Sequence, residues 1–162
     1  MSKDIPFFNY PSLFNNHEDE LVNIFKEVSS RGAFIMQKEL DEFEANLAQY
    51  TKSKHAIGVA NATDALQMLM MAGGLKPNDE VLFCSHTMVA TASAIHFAGG
   101  KPIPVEMGAD HLIDINSIKQ SINEKTRAIC PTQLNGRVAD MDNIIEIAKE
   151  YNLQVYEDAA QS

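Results

Sequence analysis

The spacing of apolar positions changes at about residue 55, and the two sides of that point predict different structure. Ahead of it, Leu21, Val22, Ile24, Phe25 and Val28 recur at helical intervals, which predicts a helix over Glu18–Ser29 with Gly32 as its stop. A second helix is expected from about Lys38 to Tyr50. Leu40, Phe43, Leu47 and Tyr50 share its apolar face, and Glu39, Asp41, Glu42 and Glu44 form a solvated one. Residues 1–16 hold two prolines, several aromatics and Asn15-Asn16, and read as an extended arm lying on its own domain or on a partner subunit.

Beyond residue 55, short apolar runs alternate with helical stretches. Strands are expected at His55–Ala60, Glu80–Cys84, Pro102–Val105, Arg127–Cys130 and Leu153–Tyr156, and helices at Thr63–Ala72, Met88–Ala98, Ile115–Ile122 and Met141–Tyr151. Strands separated by helices need crossover connections, so the fold class is α/β with a mainly parallel sheet. Gly73-Gly74 and Gly99-Gly100 are the stops of two helices. No repeat, low-complexity tract or linker interrupts the chain. Residues 1–54, an arm with helices, and 55–162 are therefore read as parts of one domain.

Composition narrows the possible partners. The 162 residues are 45% hydrophobic and 22% charged, enough apolar material for a core. The apolar runs are too short to span a bilayer, and Met1-Ser2-Lys3-Asp4 lacks the pattern of a secretory leader, so the cytoplasm is the expected location. A formal charge of −9 without a basic cluster argues against nucleic acid, and an anionic ligand would need a local site. Cys84 and Cys130 sit far apart at strand ends and read as reduced core thiols. His17, His55, His86, His96 and His111 show no metal-ligand spacing, and no metal is expected.

Candidate chemistry gathers where strands end. Leu153–Tyr156 leads into Glu157-Asp158-Ala159-Ala160-Gln161, and the carboxyl ends of strands are where α/β sheets bind ligands. A carboxylate fixed there, Asp158, can hold a cationic ring nitrogen, with Gln161 as a neutral neighbour; the same acids also fit a strand end facing water. Gly58–Leu66 passes through a tight turn into a helix, aiming free amides at a phosphate with the Thr63 hydroxyl beside them. It equally fits a helix capped by Asn61 or Thr63. In Cys84–Ala92, Met88 or His86 is placed to lie against a flat ring, although a core methionine and a surface histidine fit the pattern too. Thr132–Arg137 adds amides and one guanidinium. Together these loops describe a site for a phosphorylated, protonatable aromatic ring, which is the chemistry of pyridoxal phosphate (PLP).

With these residues in place, the chain resembles the DegT/DnrJ/EryC1/StrS family of sugar aminotransferases. The similarity runs from about Ile5 to the last residue, through Phe34-Ile35, Phe43-Glu44, Gly58–Leu66, Asn78–Val81, Thr87–Ala92, Gly99–Pro102, Thr126–Ile129 and Glu157–Gln161. The resemblance implies a three-layer sandwich, the incomplete large domain of the aspartate-aminotransferase-type (fold type I) PLP enzymes. It implies that Ala62 and Thr63 bind the cofactor phosphate, that Asp158 pairs with the pyridine nitrogen, that Gln161 approaches the ring hydroxyl and that the Met88 segment covers one ring face. It further implies a cytoplasmic homodimer that aminates a nucleotide-linked keto-sugar with glutamate as donor.

Three departures from the family pattern stand out. Ala62 and Met88 replace the usual glycine and aromatic, and the Schiff-base lysine is expected downstream of Ser162. No catalytic residue is therefore assigned within the chain, and inactivity, poor solubility or association is expected of it alone. Two further readings share these residues: a PLP-dependent sugar dehydratase of the same family, and a non-catalytic α/β binding module.

Overall fold

A computed structural model describes residues 5–162, so the leader reading at Met1–Asp4 and the start of the arm lie outside the described residues. The chain divides into two compact units, Met1–Gly58 and Val59–Ser162.

The first unit holds helices α1 (Tyr10–Asn15), α2 (Glu18–Ser30) and α3 (Lys38–Thr51). The extended arm contains a helix after all. Asn9 caps it by accepting a hydrogen bond from the Ser12 amide, and Pro11 occupies the first turn, where a missing N–H costs nothing. None of the three helices has a buried residue; Phe7, Phe25, Phe34 and Ile35 are all exposed. Two of the acids assigned to a solvated face have partners: Glu39 meets Arg31, and Glu44 accepts from the Gly58 amide at 2.6 Å. The Glu39 carboxyl is held below the usual carboxylate range by a backbone hydrogen bond and by Arg31.

The second unit is a doubly covered sheet. In order come α4 (Ala62–Ala72), β1 (Glu80–Cys84), α5 (Val89–Phe97), β2 (Lys101–Val105), α6 (Ile115–Ser121), β3 (Thr126–Cys130), α7 (Met141–Glu150) and β4 (Gln154–Val155). The strands are parallel in the order β2-β1-β3-β4. Alternation along each strand sorts side chains by face. Val81 and Phe83 of β1 and Ala128 and Cys130 of β3 pack with Leu66, Met70, Ala94 and Ile95 of α4 and α5. Leu82, Cys84 and Ile129 pack on the other face with Ile118, Ile144 and Ile147 of α6 and α7. The expected three-layer α/β sandwich is thus present. Cys84 and Cys130 are buried free thiols on opposite faces, and burial pushes both upward in pKa.

One predicted strand is absent. Residues 55–60 are irregular, with Ile57 exposed, because a strand exists only within a ladder and no described segment runs beside this one. Pro102 and Pro104 are accommodated because β2 has a partner on one side only and the two prolines, two residues apart, share the other side. Gly73 ends α4 against Tyr156, where a Cβ would collide with the tyrosine hydroxyl. No described helix is long and apolar enough to cross a membrane.

Candidate functional site

The strand order sets the location. The chain steps from β1 outward to β2 and then returns to the other side of β1 for β3, so the topology reverses between β1 and β3. Such a switch point opens a crevice at the carboxyl ends of the strands. A cleft of about 230 Å³ lies there, and its lining includes all five residues selected from sequence: Ala62, Thr63, Met88, Asp158 and Gln161.

Asp158 follows β4 and is only 5% exposed. Its backbone extends the sheet, donating to the Pro131 carbonyl at 2.9 Å and accepting from the Gln133 amide at 2.9 Å. Its carboxylate accepts from the Thr91 hydroxyl at 2.7 Å through Oδ2 and from the Ala160 amide at 3.2 Å through Oδ1. Both donors are neutral, and among the described residues no ion pair reaches this carboxylate.

Facing it is the start of α4. Asn61 caps the helix by accepting from the Asp64 amide at 3.0 Å, and its carbonyl takes the Ala65 amide. The Ala62 and Thr63 amides have no described protein acceptor and stand at the positive end of the helix dipole. The helix is capped as one reading expected, and the cap consumes one amide and leaves two without a described protein acceptor. Ala62 has helical geometry, not a positive φ, so its methyl group introduces no backbone strain.

Met88 precedes α5 and is 66% exposed in the cleft, which rules out a core methionine. The Gln161 carbonyl oxygen accepts from the Asn135 amide at 2.9 Å, leaving its amide nitrogen as the free donor. His86 and Arg137 do not join this cleft. They line a neighbouring one of about 410 Å³ with Met107, His111, Leu134 and Asn135. There His86 Nδ1 donates to the His111 carbonyl at 3.3 Å and Arg137 donates to the Asp110 carbonyl at 2.7 Å. The ring-facing candidate is accordingly Met88 and not His86.

Sequence reasoning missed the residues that hold Asp158. Thr91 and Thr132 are buried, and Gln133, also buried, donates to Glu157 at 2.6 Å and accepts from the Ala139 amide at 2.7 Å. Thr87 lies 2.9 Å from Thr91 and 3.1 Å from Thr132, hydroxyl to hydroxyl. Thr87 stands in the bend before α5 and Thr91 in its first turn, so no single periodicity in the sequence pairs them.

Among the described residues no group of three or more His, Cys, Asp or Glu is arranged to hold a metal ion. The cleft is therefore lined by amide donors at Ala62 and Thr63, the apolar side chain of Met88 and the Asp158 carboxylate, which has no described ion-pair partner.

Known proteins resemble this chain in sequence and in fold. The model of the DegT/DnrJ/EryC1/StrS aminotransferase family matches residues 15–162. A pleiotropic regulatory protein of Geobacillus stearothermophilus is 36% identical over 160 residues, covering 98% of this chain and 43% of that protein. The dTDP-3-amino-3,4,6-trideoxy-alpha-D-glucose transaminase of Streptomyces venezuelae is 36% identical over 159 residues, covering 98% of this chain and 42% of its own length. In three dimensions the crystal structure of NtdA from Bacillus subtilis with bound cofactor PMP superposes with a TM-score of 0.95 at 33% identity, covering 100% of this chain and 38% of that one. The chain thus spans less than half the length of the proteins it matches. Sequence and fold agree, and the chain belongs to the DegT/DnrJ/EryC1/StrS aminotransferase family.

Proposed function

We propose that the whole protein is a PLP-dependent aminotransferase acting on a nucleotide-linked keto-sugar, with glutamate as amino donor, and that residues 59–162 supply much of its cofactor cleft. The cofactor of this family is pyridoxal 5′-phosphate. Bound in the cleft, it supplies an electron-accepting ring that allows an amino group to be exchanged for a keto oxygen.

The observation that carries the reading is the unpaired, buried carboxylate of Asp158. A buried anion is costly unless a cation or several donors compensate it, and here the described donors are two neutral groups. A protonated pyridine nitrogen is the missing cation. Asp158 would hold the proton on that nitrogen, which keeps the ring electron-poor. The free amides of Ala62 and Thr63 and the Thr63 hydroxyl would hold the phosphate, Met88 would cover a ring face, and the Gln161 amide would donate to the ring hydroxyl.

The lysine that anchors the cofactor is proposed to lie in the part of the relatives' length that this chain does not span. Homodimerisation is supported by the apolar side chains exposed on the first unit, and a cytoplasmic location agrees with a sugar-nucleotide substrate.

Because the chain has no tryptophan, the fluorescence of pyridoxamine 5′-phosphate can report its own binding. Asp158→Asn should weaken that binding by about 10- to 100-fold, the size of a hydrogen bond to a charged group. In the complete protein Asp158→Ala should abolish transamination while the fold survives. Unchanged binding, or full activity in the complete variant, would falsify the assignment.

A further inference from the structure

We infer that Thr87, Thr91 and Thr132 form a one-directional hydroxyl relay that orients the Asp158 carboxylate toward its ligand, making Thr91 a positioning residue. The inference rests on the proposed pairing of Asp158 with a ring nitrogen.

The direction of the relay follows from counting protons. An ionised carboxylate only accepts, so the 2.7 Å contact commits the single hydroxyl proton of Thr91 to Asp158 Oδ2. Thr91 can then only accept across its 2.9 Å contact with Thr87, which fixes Thr87 as donor. With that proton spent, the 3.1 Å contact between Thr87 and Thr132 requires Thr132 to donate. The protons therefore all point the same way, from Thr132 through Thr87 and Thr91 to Asp158. Hydrogen bonds in such a chain polarise one another, and low dielectric strengthens the last one. Thr91 has no exposed surface and Thr132 is 4% exposed, so water does not compete at those two hydroxyls, while Thr87 between them is half-buried in the cleft wall.

Geometry gives the relay its purpose. Oδ2 is engaged on the α5 side by Thr91, whereas Oδ1 has only the 3.2 Å contact from Ala160, itself part of the cleft wall. Oδ1 is then the oxygen presented to a ligand, and the relay prevents the carboxylate from rotating away. The device joins three segments. Thr87 comes from the loop between β1 and α5 and Thr91 from the first turn of α5, Thr132 lies just beyond β3, and Asp158 just beyond β4, where the Thr132–Asp158 bridge sets the register. The relay therefore straddles the strands on both sides of the switch point.

The test compares two ligands that differ at one atom. Pyridoxamine 5′-phosphate and its 1-deaza analogue, with carbon in place of the ring nitrogen, are titrated into the complete protein and into its Thr91→Val, Thr91→Ser and Thr87→Val variants. The unaltered protein should prefer the nitrogen-bearing ligand at least about tenfold. Thr91→Val should weaken that ligand by about tenfold and leave the analogue within about twofold, since only a ligand paired with Asp158 senses the lost proton. Thr91→Ser, which keeps the hydroxyl, should restore the preference. Thr87→Val, one link away and without a direct bond to Asp158, should reduce it by about threefold, and it keeps the test decisive should Thr91→Val fail to fold.

Equal weakening of both ligands by Thr91→Val would reveal a change of cleft shape and overturn the relay. A serine variant that fails to restore the preference, or two valine variants without effect, would overturn it as well. No preference in the unaltered protein would instead refute the pairing of Asp158 with a ring nitrogen, and the relay with it.

Discussion

The two ends of the parallel sheet each bury a carboxylate, and they treat it in opposite ways. At the amino end Glu80, 6% exposed, accepts from Lys101 at 3.0 Å and from Asn123 at 2.8 Å, so a cation and an amide satisfy both oxygens. These bonds tie the start of β1 to the start of β2 and to the loop before β3. Hydrogen bonds from Asn123 and then Lys101 hold the Glu80 carboxyl below the usual carboxylate range. At the carboxyl end Asp158, 5% exposed, has neutral donors and no described cation. The fold can supply a cation to a buried acid and does so at the structural end. At the cleft no described cation is supplied, and under the proposed function that place belongs to the ligand, a local cost in stability of the kind functional sites carry.

The most direct attack on this comparison is the same isosteric change at each end. Glu80→Gln removes the charge that Lys101 and Asn123 were arranged around and should lower stability at pH 7 by about 1.5 kcal/mol. Asp158→Asn removes a charge that has no described counterion and, without cofactor, should change stability by less than about 0.5 kcal/mol or raise it slightly. Urea unfolding of both variants decides the matter. A loss at Asp158 equal to that at Glu80 would make both carboxylates structural and erase the difference between the ends.

A pH series sharpens the same contrast. Glu80 has a folded pKa below its unfolded value, so its contribution is fully present above the unfolded value, about 4.3, and is lost as pH falls through the folded one. The difference in Tm between the unaltered chain and Glu80→Gln should be constant from pH 7 to about pH 5 and shrink in more acidic solution. A difference that grows on acidification would reverse the sign and remove Glu80 from the list of stabilising groups.

How much of this was legible in the sequence depends on what each residue answers to. β1, β2 and β3 were readable because short apolar runs between turn residues need only local pattern to be recognised. The irregular segment 55–60 carries a similar pattern and fails because strand formation depends on a partner, which no local window contains. The α1 helix was hidden by the opposite error. The prolines and aromatics of residues 1–16 resemble an arm, while the Asn9 cap and Pro11 in the first turn are helix-starting signals.

At the site, Ala62, Thr63, Met88, Asp158 and Gln161 were recoverable because each sits at a strand end or helix start, and topology alone sends such positions to one edge. Thr91, Thr132 and Gln133 were not. A threonine inside a helix and another beyond a strand look ordinary until the fold buries them around one carboxylate. His86 and Arg137 were named from the sequence, yet they line a neighbouring cleft, a difference that sequence position does not reveal.

The smallest expected effect concerns Ala62, where the family pattern has glycine. If the phosphate turn required positive φ, alanine would be strained and Ala62→Gly would both stabilise the chain and tighten cofactor binding. The backbone shows otherwise, because Ala62 is the first residue of α4 with helical geometry and is absent from the positive-φ positions. Glycine there would add freedom to the unfolded chain without relieving anything in the folded one. Ala62→Gly should therefore cost about 0.5 kcal/mol, at the low end for an alanine-to-glycine change in a helix because the position is terminal. Pyridoxamine 5′-phosphate should bind within about twofold of the unaltered chain, since the amides of residues 62 and 63 keep their direction. Paired melts and titrations measure both quantities. A gain in stability together with tighter binding would show that the alanine methyl group holds the turn away from its best geometry, and the cleft at the carboxyl end would then owe part of its local cost to Ala62 as well as to Asp158.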